Sequence, residues 1–400
     1  MYILGFSVLL TICVFIYWVL IPPIHRSLFL LICSLFFCML ISIPNTFYFL
    51  FNIVVVYIIS IFINRWYKNK KLLIKLTLIW LIGNLCFLKC TNILFKTGFW
   101  MHLSPKIGFA NIILPLGVSF IIFRLIHYIV EVYRGNITES SFVDFSLYIL
   151  FFPTFLAGPI DRFPKFYPQT IAIKKAGIDV SEINYGLYRI IKGIIKKTFI
   201  ADNIARLIIP VLQHPSSYSR TVILCSTYGL LIQVYMDFSG YTDVAIGIAR
   251  LFGYKIMENF NKPFLLKNQV LFFRSWHISL YSWIRDYFFF PIFGYRASRI
   301  KLYLGGILTM VVFSLWHKIS VVFLISGIVT GIGALNWQLF QEIRKRHPFI
   351  KALTTINYKY LDLFLWFLNF NSFSLILVLL FFGFNGTLPI LKRIFVFYRS

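Results

Sequence analysis

Residues 272–294 read FFRSWHISLYSWIRDYFFFPIFG, and residues 309–323 read TMVVFSLWHKISVVF. Each stretch carries a histidine directly after a tryptophan, His277 after Trp276 and His317 after Trp316. Their settings differ. His277 has Arg274, Arg285 and Asp286 as sequence neighbours, whereas His317 is embedded in a run apolar enough to enter a membrane. An ionisable side chain at membrane depth is costly and marks a functional site by default. His317 is therefore the candidate reactive group.

Outward from these stretches the chain keeps the same character. Of its 400 residues 59% are hydrophobic, 20% aromatic and only 13% charged, with a mean hydropathy of +0.81. That is more apolar surface than a water-soluble domain can bury. A membrane span needs about 20 residues, so the apolar runs fit roughly ten membrane helices in an all-α, polytopic protein. The expectation is one integral-membrane domain over 1–400, its motif-bearing core at about 110–340. Runs at about 27–43, 47–64, 76–95, 110–130, 143–157 and 361–384 supply spans, besides an apolar helix within 221–264 and two further runs from 303 to 340, the first carrying His317 and the second rich in glycine. The first twenty residues lack a basic start and a small-residue cleavage site, and read as an uncleaved span.

Lys and Arg outnumber Asp and Glu by 39 to 13, a net charge of +26. No basic stretch is laid out as a nucleic-acid motif, so nucleic acid is not an expected partner. Basic loops such as RWYKNKKLLIK at 65–75 instead suit the anionic cytoplasmic leaflet of a plasma membrane. The six cysteines lie in or beside apolar runs without CxxC spacing, which reads as core packing.

Polar residues within the apolar runs narrow the search. Arg124, His127 and Glu131 are spaced three and four apart, on one helix face, and suggest an internal ion pair or a substrate contact. FFPTFLAGPIDRFPKFYPQ at 151–169 holds too many prolines for one regular helix and reads as a helix end or re-entrant turn. Basic residues among isoleucines and leucines over 174–206 predict an amphipathic surface helix. Asp237 and Asp243 flank Ser239 and Gly240. On an unbroken helix they point about 120° apart; a break at Ser239-Gly240 brings both to one cavity, and the alternative is that one or both pair with basic side chains or cap broken helix ends. Gly327, Gly331 and Gly333 permit close helix packing.

No GxSxG, HExxH, phosphate-loop or dinucleotide pattern is present, and no third ligand accompanies the two histidines at metal-binding spacing, so no metal and no permanently bound cofactor are expected. A neutral imidazole can take a proton from a hydroxyl near pH 7. Attack of an alcohol on an activated acyl group is the reaction that fits.

FRSWHISLYSWIRDYFFFPIFG followed by SLWHK, with LAGPIDRF at 156–163 and YMDFSGYTDVAIGIARLFGYKIMENFNKPF at 235–264, resembles the membrane-bound O-acyltransferase family. The likeness is to its bacterial branch of alginate O-acetyltransferases and D-alanyl transferases of teichoic acids. The resemblance implies a helical bundle with re-entrant segments and two opposed funnels, and transfer of an acetyl or D-alanyl group to a hydroxyl of an exported polymer. It also implies a cytoplasmic thioester donor, on an acyl-carrier protein or coenzyme A, as cosubstrate. His317 matches the family's catalytic histidine and His277 its second motif histidine, structural or donor-positioning. Trp276, Trp316, Arg285 and Asp286 match the surrounding motif, and Asp237 and Asp243 its acidic helix break. Lys318 departs from the branch, which often has glycine there. The alternative is a non-enzymatic transporter or flippase for a lipid-linked glycan, with Arg124, Glu131, Asp237 and Asp243 along the path. A scaffold subunit of an envelope complex is a third reading.

Overall fold

In hydrocarbon every backbone N–H and C=O must find its partner within the chain, which leaves helices as the local solution for long apolar runs. The computed structural model describes residues 2–65, 68–96, 117–138, 140–266, 269–296, 298–348 and 358–396. Among these residues the structure is helical, with a single isolated antiparallel bridge between Phe260 and Trp276. The helices in order are α1 (Tyr2–Phe15), α2 (Arg26–Ile41), α3 (Ile43–Arg65), α4 (Lys70–Lys96), α5 (Val118–Tyr133), α6 (Phe142–Leu150), α7 (Phe163–Ile173) and α8 (Val180–Ile194). After them come α9 (Asp202–Gln213), α10 (Arg220–Leu251), α11 (Gln269–Ser275), α12 (Ile278–Ile284), α13 (Phe290–Phe293), α14 (Arg299–His317), α15 (Val321–Arg346) and α16 (Tyr358–Phe395).

Among the described residues seven helices are long and apolar enough to cross a membrane: α2 with the turn before it, α3, α4, α10, α14, α15 and α16. The protein is a multi-pass membrane protein. Three of the expected spans are shorter than a crossing. The first apolar run is a shorter apolar helix, α1 continuing directly into a π turn at Ile16–Leu20. α6 has only nine residues. α5 has 16, and nearly its whole circumference is buried; residues 110–116 of that expected span lie outside the described residues. A helix covered on all sides is a core element, not a lipid-facing one.

The chain divides into two compact units, Met1–Ile191 with Thr242–Met257, and Lys192–Tyr241 with Glu258–Ser400. In the first unit α5 packs against α3, α4 and α6. Its polar stripe is a set of structural ties. Arg124 donates to the carbonyls of Tyr148, Ile149 and Thr154 and to Thr154 Oγ1 at 2.5–3.2 Å, tying down the end of α6 and the turn after it. His127 Nε2 accepts the Phe163 N–H at 2.9 Å. Glu131 pairs with Arg134 at 2.8 Å and accepts from Asn136 at 2.6 Å. The stripe works as an internal lock, with backbone carbonyls as partners for Arg124. The proline-rich segment is irregular as expected: a 3-10 turn at Phe152–Thr154, then α7 beginning beside Pro164.

The amphipathic stretch resolves into α8, a π turn at Ile195–Ala201, and α9. Leu187, Ile191, Ile195 and Phe199 stay exposed along it. Several of its cations are paired. Lys174 reaches Asp144 at 3.1 Å, and Arg189 reaches Asp243 at 2.5 Å.

In the second unit α14 and α15 pack tightly. A Cβ added at Gly327 meets Val311 Cα at 2.7 Å, and one at Gly331 meets Ile307 Cα at 2.7 Å. Only glycine allows that approach. Ser314 Oγ donates to the Phe323 carbonyl at 2.6 Å, fixing the register of the pair near its His317 end.

Candidate functional site

His317 is the last residue of α14, and Lys318 turns the chain into extended backbone (φ −156°, ψ 131°). That conformation suits any residue, so lysine in place of the branch's common glycine needs no special backbone. The expectation of an imidazole embedded within a spanning run is corrected here: His317 is exposed, at the helix end, and lines a cavity. The apolar run around it is two helices, α14 and α15, meeting at a short connection through Ile319 and Ser320. They are the two apolar runs expected over 303–340.

His277 is the buried one, with 1% of its surface exposed. It sits between α11 and α12 in the left-handed region, φ 47° and ψ 50°. For a non-glycine residue this conformation costs about 1–3 kcal/mol, and such strain clusters at functional sites. Neither ring nitrogen has a hydrogen-bond partner among the described residues. The ring is held by aromatic edges: Phe238 at 4.7 Å, Trp316 at 5.8 Å and Phe313 at 6.2 Å between centroids.

The two imidazoles lie 6.4 Å apart, centroid to centroid, and both line one cavity of about 580 Å³ in the second unit. Its walls are largely apolar, with Phe238, Phe273, Phe313 and Phe373 among them, and its polar groups include Gln233, Asp237, Ser314 and Ser326. A mostly apolar pocket with few convergent polar groups is the usual form of a small-molecule site. Trp276 lines it too, stacked on Phe272 at 5.4 Å and 5.4 Å from Phe373, so it forms part of the wall. The Trp316 ring packs on His317 at 4.6 Å.

The acidic segment behaves differently from the expectation of a break. α10 runs unbroken through Ser239 and Gly240, so the two aspartates diverge. Asp237 lines the cavity and pairs with Lys197 at 2.5 Å; Lys197 also reaches Asp202 at 2.8 Å. Asp202 and Asp237 together hold the Lys197 ammonium above its ordinary value. Asp243 belongs to the first unit, is buried against Arg189 and does not line the cavity. Gly240 serves close approach: a Cβ there meets the Gly193 carbonyl oxygen at 2.8 Å. Arg285 and Asp286 pair with each other at 2.8 Å, and Arg285 lines a second cavity of about 370 Å³ with Arg274 and Tyr303. Phe273 and Met310 line both cavities and form a shared wall.

One residue that the sequence reading passed over is Asn259, fully buried. Its carbonyl accepts the Ile278 N–H at 2.9 Å and its Oδ1 accepts the Ser279 N–H at 3.1 Å. Those contacts span about twenty residues of sequence, with no local pattern to announce them.

Chemically, this is a pair of imidazoles facing a confined apolar space, able to hold a hydroxyl and take its proton. The chain matches the model of the membrane-bound O-acyltransferase family over residues 62–382. It is 38% identical over 221 residues to a probable alginate O-acetylase of Azotobacter vinelandii, covering 54% of this chain and 43% of that protein. It is 28% identical over 380 residues to the peptidoglycan O-acetyltransferase of Helicobacter pylori, covering 88% and 70%. To the teichoic acid D-alanyltransferase of Bacillus subtilis it is 30% identical over 275 residues, covering 65% and 68%. The chain thus spans less than half the length of its alginate-modifying relative.

Proposed function

The chain belongs to the membrane-bound O-acyltransferase family, and on that premise we propose that it moves a short acyl group, acetyl or D-alanyl, from a thioester to a hydroxyl of an exported cell-surface polymer. The observation that carries this reading is the cavity lined by both His277 and His317, with the imidazoles 6.4 Å apart.

His317, exposed within the cavity, is the base. It takes the proton of the acceptor hydroxyl as the hydroxyl oxygen attacks the thioester carbonyl carbon. The carbon–sulfur bond breaks, and the proton passes to the departing sulfur. Such positioned base catalysis supplies about 10²–10⁴-fold. The His277 ring nitrogens have no hydrogen-bond partner among the described residues, so they are available to the acyl group or to the developing oxyanion. The apolar walls exclude water, which limits hydrolysis of the thioester. The donor is a cytoplasmic acyl-carrier protein or coenzyme A thioester, and the site of action is the plasma membrane. The basic excess of the chain suits an acidic carrier or a phosphate-bearing donor.

The test is the ester content of surface polymers in cells carrying wild type, His317→Ala or His277→Ala at matched membrane abundance. Loss of one specific ester in the His317 variant is the expected result, and the missing ester names the acyl group. An unchanged ester profile overturns the assignment and favours transport of the polymer.

A further inference from the structure

We propose that Asn259 is a positioning residue that sets the orientation of His277, an inference that rests on the acyl-transfer reading above. His277 is the N-cap residue of α12, and an N-cap side chain normally accepts a hydrogen bond from the first turn. His277 makes no such bond. Asn259 supplies both acceptors from a distant segment: its carbonyl takes the Ile278 N–H at 2.9 Å and its Oδ1 the Ser279 N–H at 3.1 Å. A third bond, Asn261 N–H to the Ser275 carbonyl at 2.9 Å, closes the bridge around Phe260 and Trp276.

The consequence is local and chemical. With the first two N–H groups of α12 satisfied from outside, the His277 side chain is released from capping and turned toward the cavity. Neither ring nitrogen is hydrogen-bonded among the described residues, so aromatic packing and the backbone turn alone set the ring's aim. The turn is left-handed at φ 47°, a conformation that persists only where its surroundings over-determine it. Asn259, fully buried and bonded to the two N–H groups that follow His277, provides that constraint. Asn259→Ala removes Oδ1, leaves the Ser279 N–H unpaired and lets the imidazole drift. Misplacement of about 1 Å costs on the order of 10²-fold in rate.

The experiment is a double-mutant cycle on the rate of surface-ester deposition in pulse-labelled cells, with wild type, Asn259→Ala, His277→Ala and the double variant at matched membrane abundance. Asn259→Ala is expected to slow deposition about 10–100-fold. The double variant is expected to match His277→Ala within about twofold, because a residue acting through another has nothing left to position. Losses that multiply in the double variant, or an Asn259→Ala rate equal to wild type, overturn the proposal. Should Asn259→Ala not accumulate, Asn259→Ser carries the same cycle. A second measurement is independent of activity. Diethylpyrocarbonate modification of His277, read by mass spectrometry against His317 in purified protein, is expected to quicken about threefold or more in the Asn259 variant as the turn opens. An unchanged ratio overturns the positioning role. If wild type deposits no ester at all, it is the functional reading that fails, and the modification ratio decides the role of Asn259 alone.

Discussion

Arg124 and His277 are each 1% exposed, and each is polar amid apolar packing. Arg124, in the first unit, is surrounded by acceptors: three carbonyls and the Thr154 hydroxyl. His277, in the second, has two ring nitrogens without hydrogen bonds among the described residues, in a strained turn beside a cavity. Burial alone does not distinguish structure from function. A buried group with four hydrogen bonds to its surroundings ties elements together, while a ring with none, beside open space, has its nitrogens available to a ligand.

The largest effect that can break this contrast is at the partner imidazole: His317→Ala lowers ester deposition by about 10²–10⁴-fold with membrane abundance unchanged. Retained deposition in that variant removes the second unit's claim to chemistry. Next, Arg124→Met strips four acceptors of their donor and destabilises by about 3 kcal/mol or more, seen as a lower thermal midpoint in detergent. An unshifted midpoint contradicts the structural role of Arg124. His277→Gly inverts that pattern. Relief of the left-handed strain offsets the lost ring contacts, so stability stays within about 1 kcal/mol of wild type. Ester deposition nevertheless falls about tenfold or more.

The smallest effect sharpens the picture of the first unit's ties. Burial pushes the Glu182 carboxyl up, but hydrogen bonds from Lys255 and Arg250 outweigh it and hold the group below its ordinary value of 4.5. A depressed carboxyl stabilises the fold above its unfolded value, and that contribution is lost as pH falls through the folded value. Glu182→Gln therefore lowers the midpoint slightly at pH 7, and the two proteins converge in acid. A gap that does not change with pH shows that the pairing contributes nothing.

Much of this was legible in the chain. Composition and run length gave a polytopic helical protein, and the two Trp-His pairs pointed to the cavity that both histidines line. Gly327 and Gly331 announced the tight pairing of α14 and α15. Other features were hidden for physical reasons. Ser239-Gly240 is as compatible with a helix that another backbone approaches as with a break, and Gly240 takes the first role against the Gly193 carbonyl. Two apolar runs were legible over 303–340, but apolar residues on both sides of His317 concealed that it ends the first of them. The polar stripe of α5 was visible, but the main partners of Arg124 are backbone carbonyls, which carry no sequence signature. Asn259 escaped for the same reason: two of its contacts are to main-chain N–H groups in a later segment.

The close approach of α14 and α15 has a mechanical consequence. With only hydrogens between Gly327 and Val311 Cα, and between Gly331 and Ile307 Cα, no compressible layer of side chains separates the two rods. They behave as one beam, and His317 is the tip of that beam. Thermal motion then displaces the imidazole mainly by moving the whole beam, a stiff and slow coordinate, and little by local bending. A single methyl group at position 327 wedges the rods apart at Val311 and is felt at the tip, about two turns of helix further on.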